Sequence, residues 1–373
     1  MSVRSTTLRA VVALAAAAAS ADEPAPRRVD QLQLLGTHNS YHLAPDPFTA
    51  GLMATAAPAE ARANDVNQRP LAEQLDRGLR HFELDCYLDP HGGLFATPFA
   101  LELAARLGRE VPALAHAAAL AAPGIKVLHS PGFDFRTTVP SLALALRAVR
   151  TWSDDHAGHV PLFVLVECKD DSFAPTRPLP WRADGFAELE RTILEVFPRE
   201  RILTPDRVRG SAATLREAVE GRGWPALDAC RGLVCFLLDN EGAVRDRYLS
   251  LGPDPADRLL FVSVARDHPA AAFMKRNDPI AADEEIRELV AAGFLVRTRT
   301  DAGTVEARAD DTTRRDAAIA SGAQLLSTDF PEPDPRFSPY RVSLPPPPEP
   351  APSRAPVTPA GPTPPPSPSR PVP

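Results

Sequence analysis

Cysteine is scarce in this chain: 373 residues carry four, Cys86, Cys168, Cys230 and Cys235. None shares the paired CxxC spacing of a thiolate zinc site, which excludes a zinc finger or ribbon. Positive charge is not in excess either. The formal net charge is −7, which argues against a nucleic-acid partner and against general attraction to an anionic membrane surface. No apolar run reaches the roughly 20 residues that cross a bilayer, so no transmembrane segment is expected. No GxGxxG turn follows an apolar run, so the dinucleotide-binding kind of parallel sheet lacks its phosphate cradle. There is no internal repeat.

Both ends differ in composition from the middle. Arg4 and Arg9 flank or precede the apolar run "AVVALAAAAA" (Ala10 to Ala19), and "ASA" at Ala19 to Ala21 has the small residues of a cleavage site. Residues 1–21 therefore read as an export leader, with a buried Ala-rich helix as the other reading. Residues 345–373 hold 15 of the 42 prolines and almost no large apolar side chain, which predicts an extended, disordered tail. One domain, residues 22–344, remains between them. Export permits a disulfide, and Cys230 with Cys235 is the nearest pair in sequence; small buried hydrophobes are an equal reading.

Eight short apolar or β-rich runs punctuate that domain. They are "LQLLG" (Leu32 to Gly36), "LRHFELDCY" (Leu79 to Tyr87), "IKVLHS" (Ile125 to Ser130), "PLFVLVECK" (Pro161 to Lys169), "LVCFLLD" (Leu233 to Asp239), "LLFVSVA" (Leu259 to Ala265), "FLVRTRT" (Phe294 to Thr300) and "AQLLSTD" (Ala323 to Asp329). Helical patterns follow the third, fourth, sixth and seventh, and the last two of these end at glycine, as helix C-termini often do. Strand alternating with helix implies parallel pairing, and eight units over about 300 residues predict an α/β fold, a closed (β/α)8 TIM barrel. A doubly wound open sheet is the runner-up.

In such a barrel the chemistry sits at the C-terminal ends of the strands. The first run leads into His38 and Asn39, the second carries Glu83 and Asp85, the third ends in His129, and the fourth ends in Glu167 and Lys169. Residues two apart on a strand share a face, so Glu83 with Asp85, and Glu167 with Lys169, should point inward together. Cys86 and Cys168 then point outward; with the third strand between theirs they would lie roughly 9 to 10 Å apart, too far for a disulfide. Three inward carboxylates do not stay ionised together without a cation. Adding the carbonyl oxygen of Asn39 gives an all-oxygen set, Asn39, Glu83, Asp85 and Glu167, suited to Ca²⁺ and less to Mg²⁺. The competing reading pairs these carboxylates with Arg80, Lys126 and Lys169. His38 and His129 are the natural acid–base pair, because a histidine titrates near the pH at which it must both take and give a proton. His42 is ambiguous: it can position the His38 loop. The other histidines read as structural.

The segments "GTHNSYH", "FELDCY", "KVLHSPGFDF", "FVLVECKDD", "FLVRTRTD" and "AQLLSTDFP", in this order across residues 29–340, resemble the calcium-dependent phosphoinositide-specific phospholipase C-like proteins. These belong to the phospholipase C/glycerophosphodiesterase barrel superfamily. The resemblance implies catalytic roles for His38 and His129, and calcium ligation by Asn39, Glu83, Asp85 and Glu167. Lys169, Arg297 and Arg299 are candidates for the substrate phosphate or headgroup; for the two arginines, pairing with Asp301 or Glu306 is an equal reading. The implied reaction is intramolecular attack of an inositol 2-hydroxyl on phosphorus, giving diacylglycerol and a cyclic inositol phosphate. The expected partner is a phospholipid headgroup met in transient contact with a membrane surface, and a monomer is expected. Three alternatives stand beside this reading: a glycerophosphodiester phosphodiesterase, a phospholipase D-like barrel on another phosphodiester, and an inactive lipid- or glycan-binding barrel. No pleckstrin, EF-hand or C2 module accompanies the barrel.

Overall fold

A run such as "LFVLVEC" is apolar without alternation and needs cover on both faces, which is the situation of a strand in a parallel sheet flanked by helices. The computed structural model describes residues 27–171, 175–252 and 258–346. The leader reading, and the proline-rich tail from residue 347 onward, lie outside the described residues. The strands are β1 (Leu34–Thr37), β2 (His81–Tyr87), β3 (Lys126–Val127), β4 (Leu162–Cys168), β5 (Val234–Leu238), β6 (Leu260–Val262), β7 (Phe273–Lys275), β8 (Leu295–Arg299) and β9 (Leu325–Thr328). They follow the order β6-β5-β4-β2-β1-β9-β8-β7, with every neighbouring pair parallel. A parallel bridge between Ser263 and Phe273 brings the two ends together, giving a nearly closed barrel of eight parallel strands.

The count of eight agrees with the sequence reading, but the membership does not. The third run is not a barrel stave: β3 spans two residues and pairs antiparallel with Cys86 and Tyr87 at the tip of β2. The eighth stave is instead the unforeseen β7, between β6 and β8. Consequently β2 and β4 are direct neighbours, and Cys86 lies opposite Cys168 in register, which overturns the expected separation of 9 to 10 Å. All four cysteines are nonetheless free and buried, so the Cys230–Cys235 disulfide is not formed.

The helices fall close to the expected segments. Ser141 accepts from the Leu144 amide and starts the helix Leu142–Asp155, as a serine N-cap should. Helices Asp283–Ala291 and Thr313–Ala320 run into Gly293 and Gly322, both at positive φ. Among the described residues no helix is long and apolar enough to cross a membrane.

His81, Glu83 and Asp85 share the inner face of β2 and are all buried. His81 lies lowest, and its Nε2 meets the carbonyl of Leu326 on β9 at 2.8 Å. It passes over Gly36 of β1, where a Cβ would overlap the His81 ring and carbonyl oxygen. Gly36→Ala is therefore expected to cost at least about 1–3 kcal/mol of stability, the usual range for overpacking a core. Urea denaturation measures it, and an unchanged midpoint would mean that β1 and β2 can separate at no cost.

Candidate active site

The chain leaves β1 at Thr37 and turns immediately. His38 continues the ladder by donating its amide to Thr328 (3.0 Å), and Asn39 takes φ +42°, a left-handed conformation uncommon outside glycine. The turn is bolted to β2: the Ser40 amide donates to the Glu83 carbonyl (3.0 Å), and the Glu83 amide donates to Ser40 Oγ (2.8 Å). Thr37 and Gln74 complete this buried network. The His38 turn is thus fixed to the strand that carries Glu83 and Asp85.

His38 projects at the mouth of the barrel with 23% of its side chain exposed. Its Nδ1 lies 2.9 Å from Asp329 Oδ1, and Arg299 donates to its Nε2 at 3.2 Å. A ring nitrogen that accepts from a guanidinium carries no proton, so the proton is on Nδ1, donated to Asp329. Arg299 also donates to Asp329 Oδ2 (2.8 Å). Burial alone would raise the Asp329 pKa, but His38 and Arg299 outweigh it and hold the group down at about 2. Behind it Asp301, fully buried, is pushed up to about 6 by burial and by Asp329. Asp301 accepts from the Asp329 amide at 2.8 Å and from the Thr328 hydroxyl.

His129 lies just beyond β3, where the turn 130–134 closes with the Ser130 amide donating to the Asp134 carbonyl (2.8 Å). That turn sets Asp134 Oδ2 2.9 Å from His129 Nδ1. Burial lowers the His129 pKa, yet the hydrogen bond and charge of Asp134 reverse this and the net shift is upward. Asp134 has a second partner: its Oδ1 lies 2.8 Å from Nε2 of the buried His42, whose Nδ1 meets the Val66 carbonyl at 2.9 Å. Both nitrogens of His42 face acceptors, so the ring carries both protons; burial opposes the charge and Asp134 restores it. Asp134→Asn leaves that buried cation without a counter-charge and is expected to cost about 3–5 kcal/mol of stability. Chemical denaturation measures this, and a loss below about 1 kcal/mol would reduce the pair to the worth of a surface ion pair.

Between the two histidines stand the carboxylates. Glu83, Asp85 and Glu167 each offer an oxygen within 4.8 Å of the others, as the strand parity required. His38 Nε2 is 3.7 Å from Glu83 Oε1. Lys169 sits on the same group, its Nζ 3.3 Å from Asp85 and 3.6 Å from Glu167, so the pairing weighed against metal binding is present for this lysine. Arg297 holds Glu83 as well, so two cations face three carboxylates and the set is still one positive charge short. Burial, and next Asp85, push Glu167 up to about 8, and Asp85 Oδ1 is buried without a hydrogen-bond partner. A hard cation among oxygen donors fits both observations.

Arg297 and Arg299 share a strand face as expected, but not surroundings. Arg297 is 1% exposed, and its guanidinium is taken up by Glu83, Asn277 and Ser327. It braces a carboxylate, whereas Arg299 stands beside His38. Arg80 and Lys126, weighed as partners for the carboxylates, are elsewhere: Lys126 pairs with Asp89 (3.3 Å) and Arg80 lies over the Trp152 ring. Sequence reasoning missed Asp134 and Asp329, although both lie inside quoted motifs, "HSPGFDF" and "STDFP". The available signal was an acid following each histidine-bearing or strand-ending segment. It also missed the pair Lys275–Asp239 (3.1 Å), which closes β7 and β5 near the same mouth.

Residues 27–350 match the family described as phosphoinositide phospholipase C, Ca²⁺-dependent. Solved structures of similar fold include a calcium-dependent phosphoinositol-specific phospholipase C from Pseudomonas sp, 16% identical, covering 82% of this chain and 91% of that one with a TM-score of 0.50. Another is a Ca²⁺-dependent phosphatidylinositol-specific phospholipase C from Streptomyces antibioticus, 17% identical, covering 81% and 94% with a TM-score of 0.51. No curated protein matches the chain. With the match running from the first described residue past the last strand, and the barrel shared with these enzymes, the chain belongs to the calcium-dependent phosphoinositide phospholipase C family.

Proposed function

We propose that this protein is an exported phosphodiesterase that cleaves phosphatidylinositol to diacylglycerol and a cyclic inositol phosphate. The observation that carries the reading is a pair of histidines, each backed by a buried carboxylate, flanking one group of three acids. His38 takes the proton of the inositol 2-hydroxyl on Nε2, which is free of a proton because Asp329 holds the other on Nδ1. The hydroxyl oxygen attacks phosphorus and the bond to the glycerol oxygen breaks. His129, whose protonated form Asp134 favours, delivers its Nε2 proton to that departing oxygen. Arg299 and Lys169 stand where a phosphoryl oxygen gains charge, and Arg297 acts one step back by holding Glu83.

Asn39, Glu83, Asp85 and Glu167 would hold Ca²⁺. An ion held there would supply Lewis acidity, lowering the pKa of the attacking hydroxyl and offsetting negative charge on phosphorus. Contact with a lipid surface belongs to this reading, and four exposed apolar side chains on segments between strands are candidates to make it. They are Leu107 beyond β2, Leu179 beyond β4, Ile280 beyond β7 and Val305 beyond β8.

The test is incubation with phosphatidylinositol vesicles in Ca²⁺ and analysis of both products. Diacylglycerol with cyclic inositol phosphate is expected. Phosphatidic acid would point to a phospholipase D, cleavage confined to deacylated glycerophosphoinositol to a glycerophosphodiesterase, and no turnover to a binding protein.

A further inference from the structure

The reaction above makes no use of His42, yet this ring is built into the barrel mouth as firmly as either catalytic histidine. We propose that His42 is a positioning residue for the general acid: it grips the far oxygen of Asp134 so that the near one orients His129. The proposal rests on the reading of His129 as the acid.

A carboxylate bonded through one oxygen still turns about its own axis. Asp134 is bonded through both, with His42 Nε2 on Oδ1 at 2.8 Å and His129 Nδ1 on Oδ2 at 2.9 Å. The grip is effective only if His42 is itself immobile. Its Nδ1 is tied to the Val66 carbonyl (2.9 Å), its own carbonyl accepts from the Gln68 amide (2.8 Å), and it is 2% exposed. Its backbone bridges antiparallel to Thr137, and the adjacent bonds, Leu43 amide to Arg136 carbonyl and Thr138 amide to Tyr41 carbonyl, tie it to the strand-like segment just past Asp134. The two imidazoles stand edge-on, centroids 5.7 Å apart and planes at 89°, with the carboxylate between them. The consequence for catalysis is a fixed tautomer. With Nδ1 committed to Asp134, the mobile proton of His129 is the one on Nε2. Although the same three side chains satisfy the proximity of a metal site, the 2.8 and 2.9 Å separations are those of shared protons.

The test uses the full chain and two substrates, phosphatidylinositol and a nitrophenyl inositol phosphate whose leaving group needs little protonation. His42→Leu should lower kcat on the lipid by roughly 10- to 100-fold, as loss of an orienting partner does, with KM nearly unchanged and the nitrophenyl rate within about threefold. His42→Gln, whose amide still donates to Asp134, should recover most of the lipid activity. In a His129→Ala background, His42→Leu should add no further loss on the lipid. If the leucine variant does not fold, His42→Asn, too short to reach Asp134, replaces it in both measurements. Equal losses on the two substrates, or an undiminished loss in the His129→Ala background, would overturn the proposal. Should His129→Ala itself fail to discriminate between the substrates, the acid assignment falls; the double-variant comparison still decides whether His42 works through His129.

Discussion

His38→Ala is expected to lower kcat/KM roughly 10²- to 10⁴-fold, the range for removal of a general base, on phosphatidylinositol and on a nitrophenyl inositol phosphate alike. Activation of the 2-hydroxyl is needed whatever the leaving group. His129→Ala should fall by a similar factor on the lipid and much less on the nitrophenyl ester. A diacylglycerol alkoxide cannot depart without a proton, whereas a nitrophenolate can. The asymmetry follows from the hydrogen bonds. His38 offers an unprotonated Nε2 with Arg299 donating to it, while the hydrogen bond and charge of Asp134 shift the His129 pKa upward and so favour its protonated form. Calcium affinity should be nearly unchanged in both variants, since neither ring belongs to the acidic group. Equal losses for His129→Ala on both substrates would refute the acid role, and a collapse of calcium binding in either variant would mean that the ion sits elsewhere.

The barrel was legible because its staves are long apolar runs separated by helical patterns. Where the reading went astray, the physical reason is length. Three residues, Phe273–Lys275, suffice for a stave when the bridge from Ser263 and the pairing with β8 satisfy their backbone, yet three residues carry no periodicity. "IKVLHS" has the composition of a strand, but its polar groups are satisfied against the tip of β2 and the chain beyond it. Composition does not say which neighbour supplies the ladder, and so the register of Cys86 with Cys168 was out of reach.

Much of the site was legible for a simpler reason. Parity along a strand is rigid, so Glu83 with Asp85 and Glu167 with Lys169 had to share faces once the strands were identified. The orienting acids were not, because Asp134 and Asp329 reach their histidines through a turn and a strand crossing. Among the described residues each is the hydrogen-bond partner of the neighbouring ring Nδ1, but that becomes visible only when the loops are folded. Arg297 and Arg299 make the complementary point. Parity places both inside the barrel, and depth along the strand separates a brace for Glu83 from a neighbour of His38.

Chelation by EGTA is expected to abolish lipid cleavage, and Ca²⁺ should restore it better than Mg²⁺ or Zn²⁺. The donors are all oxygen, which disfavours zinc, and they come from two strands, β2 and β4, and the turn after β1, which suits the larger ion. Protons should report the same event. Without the ion, Glu167 is pushed up to about 8 by burial and by Asp85, so at pH 7 it is mostly protonated. Ligation requires the carboxylate, so Ca²⁺ binding at pH 7 should release roughly one proton, and affinity should rise up to about tenfold per pH unit until pH 8. Calorimetry in buffers of different ionisation enthalpy counts that proton. The effect on stability has a definite sign. Between the ordinary glutamate pKa of 4.5 and about 8 the folded apo protein keeps a proton that the unfolded chain has lost. Its stability must therefore fall as pH rises through that window. Added Ca²⁺ should reverse the fall, raising Tm more at pH 8 than at pH 6. Full activity in EGTA would remove calcium from the mechanism, and calcium uptake at pH 7 without proton release would remove Glu167 from its ligands.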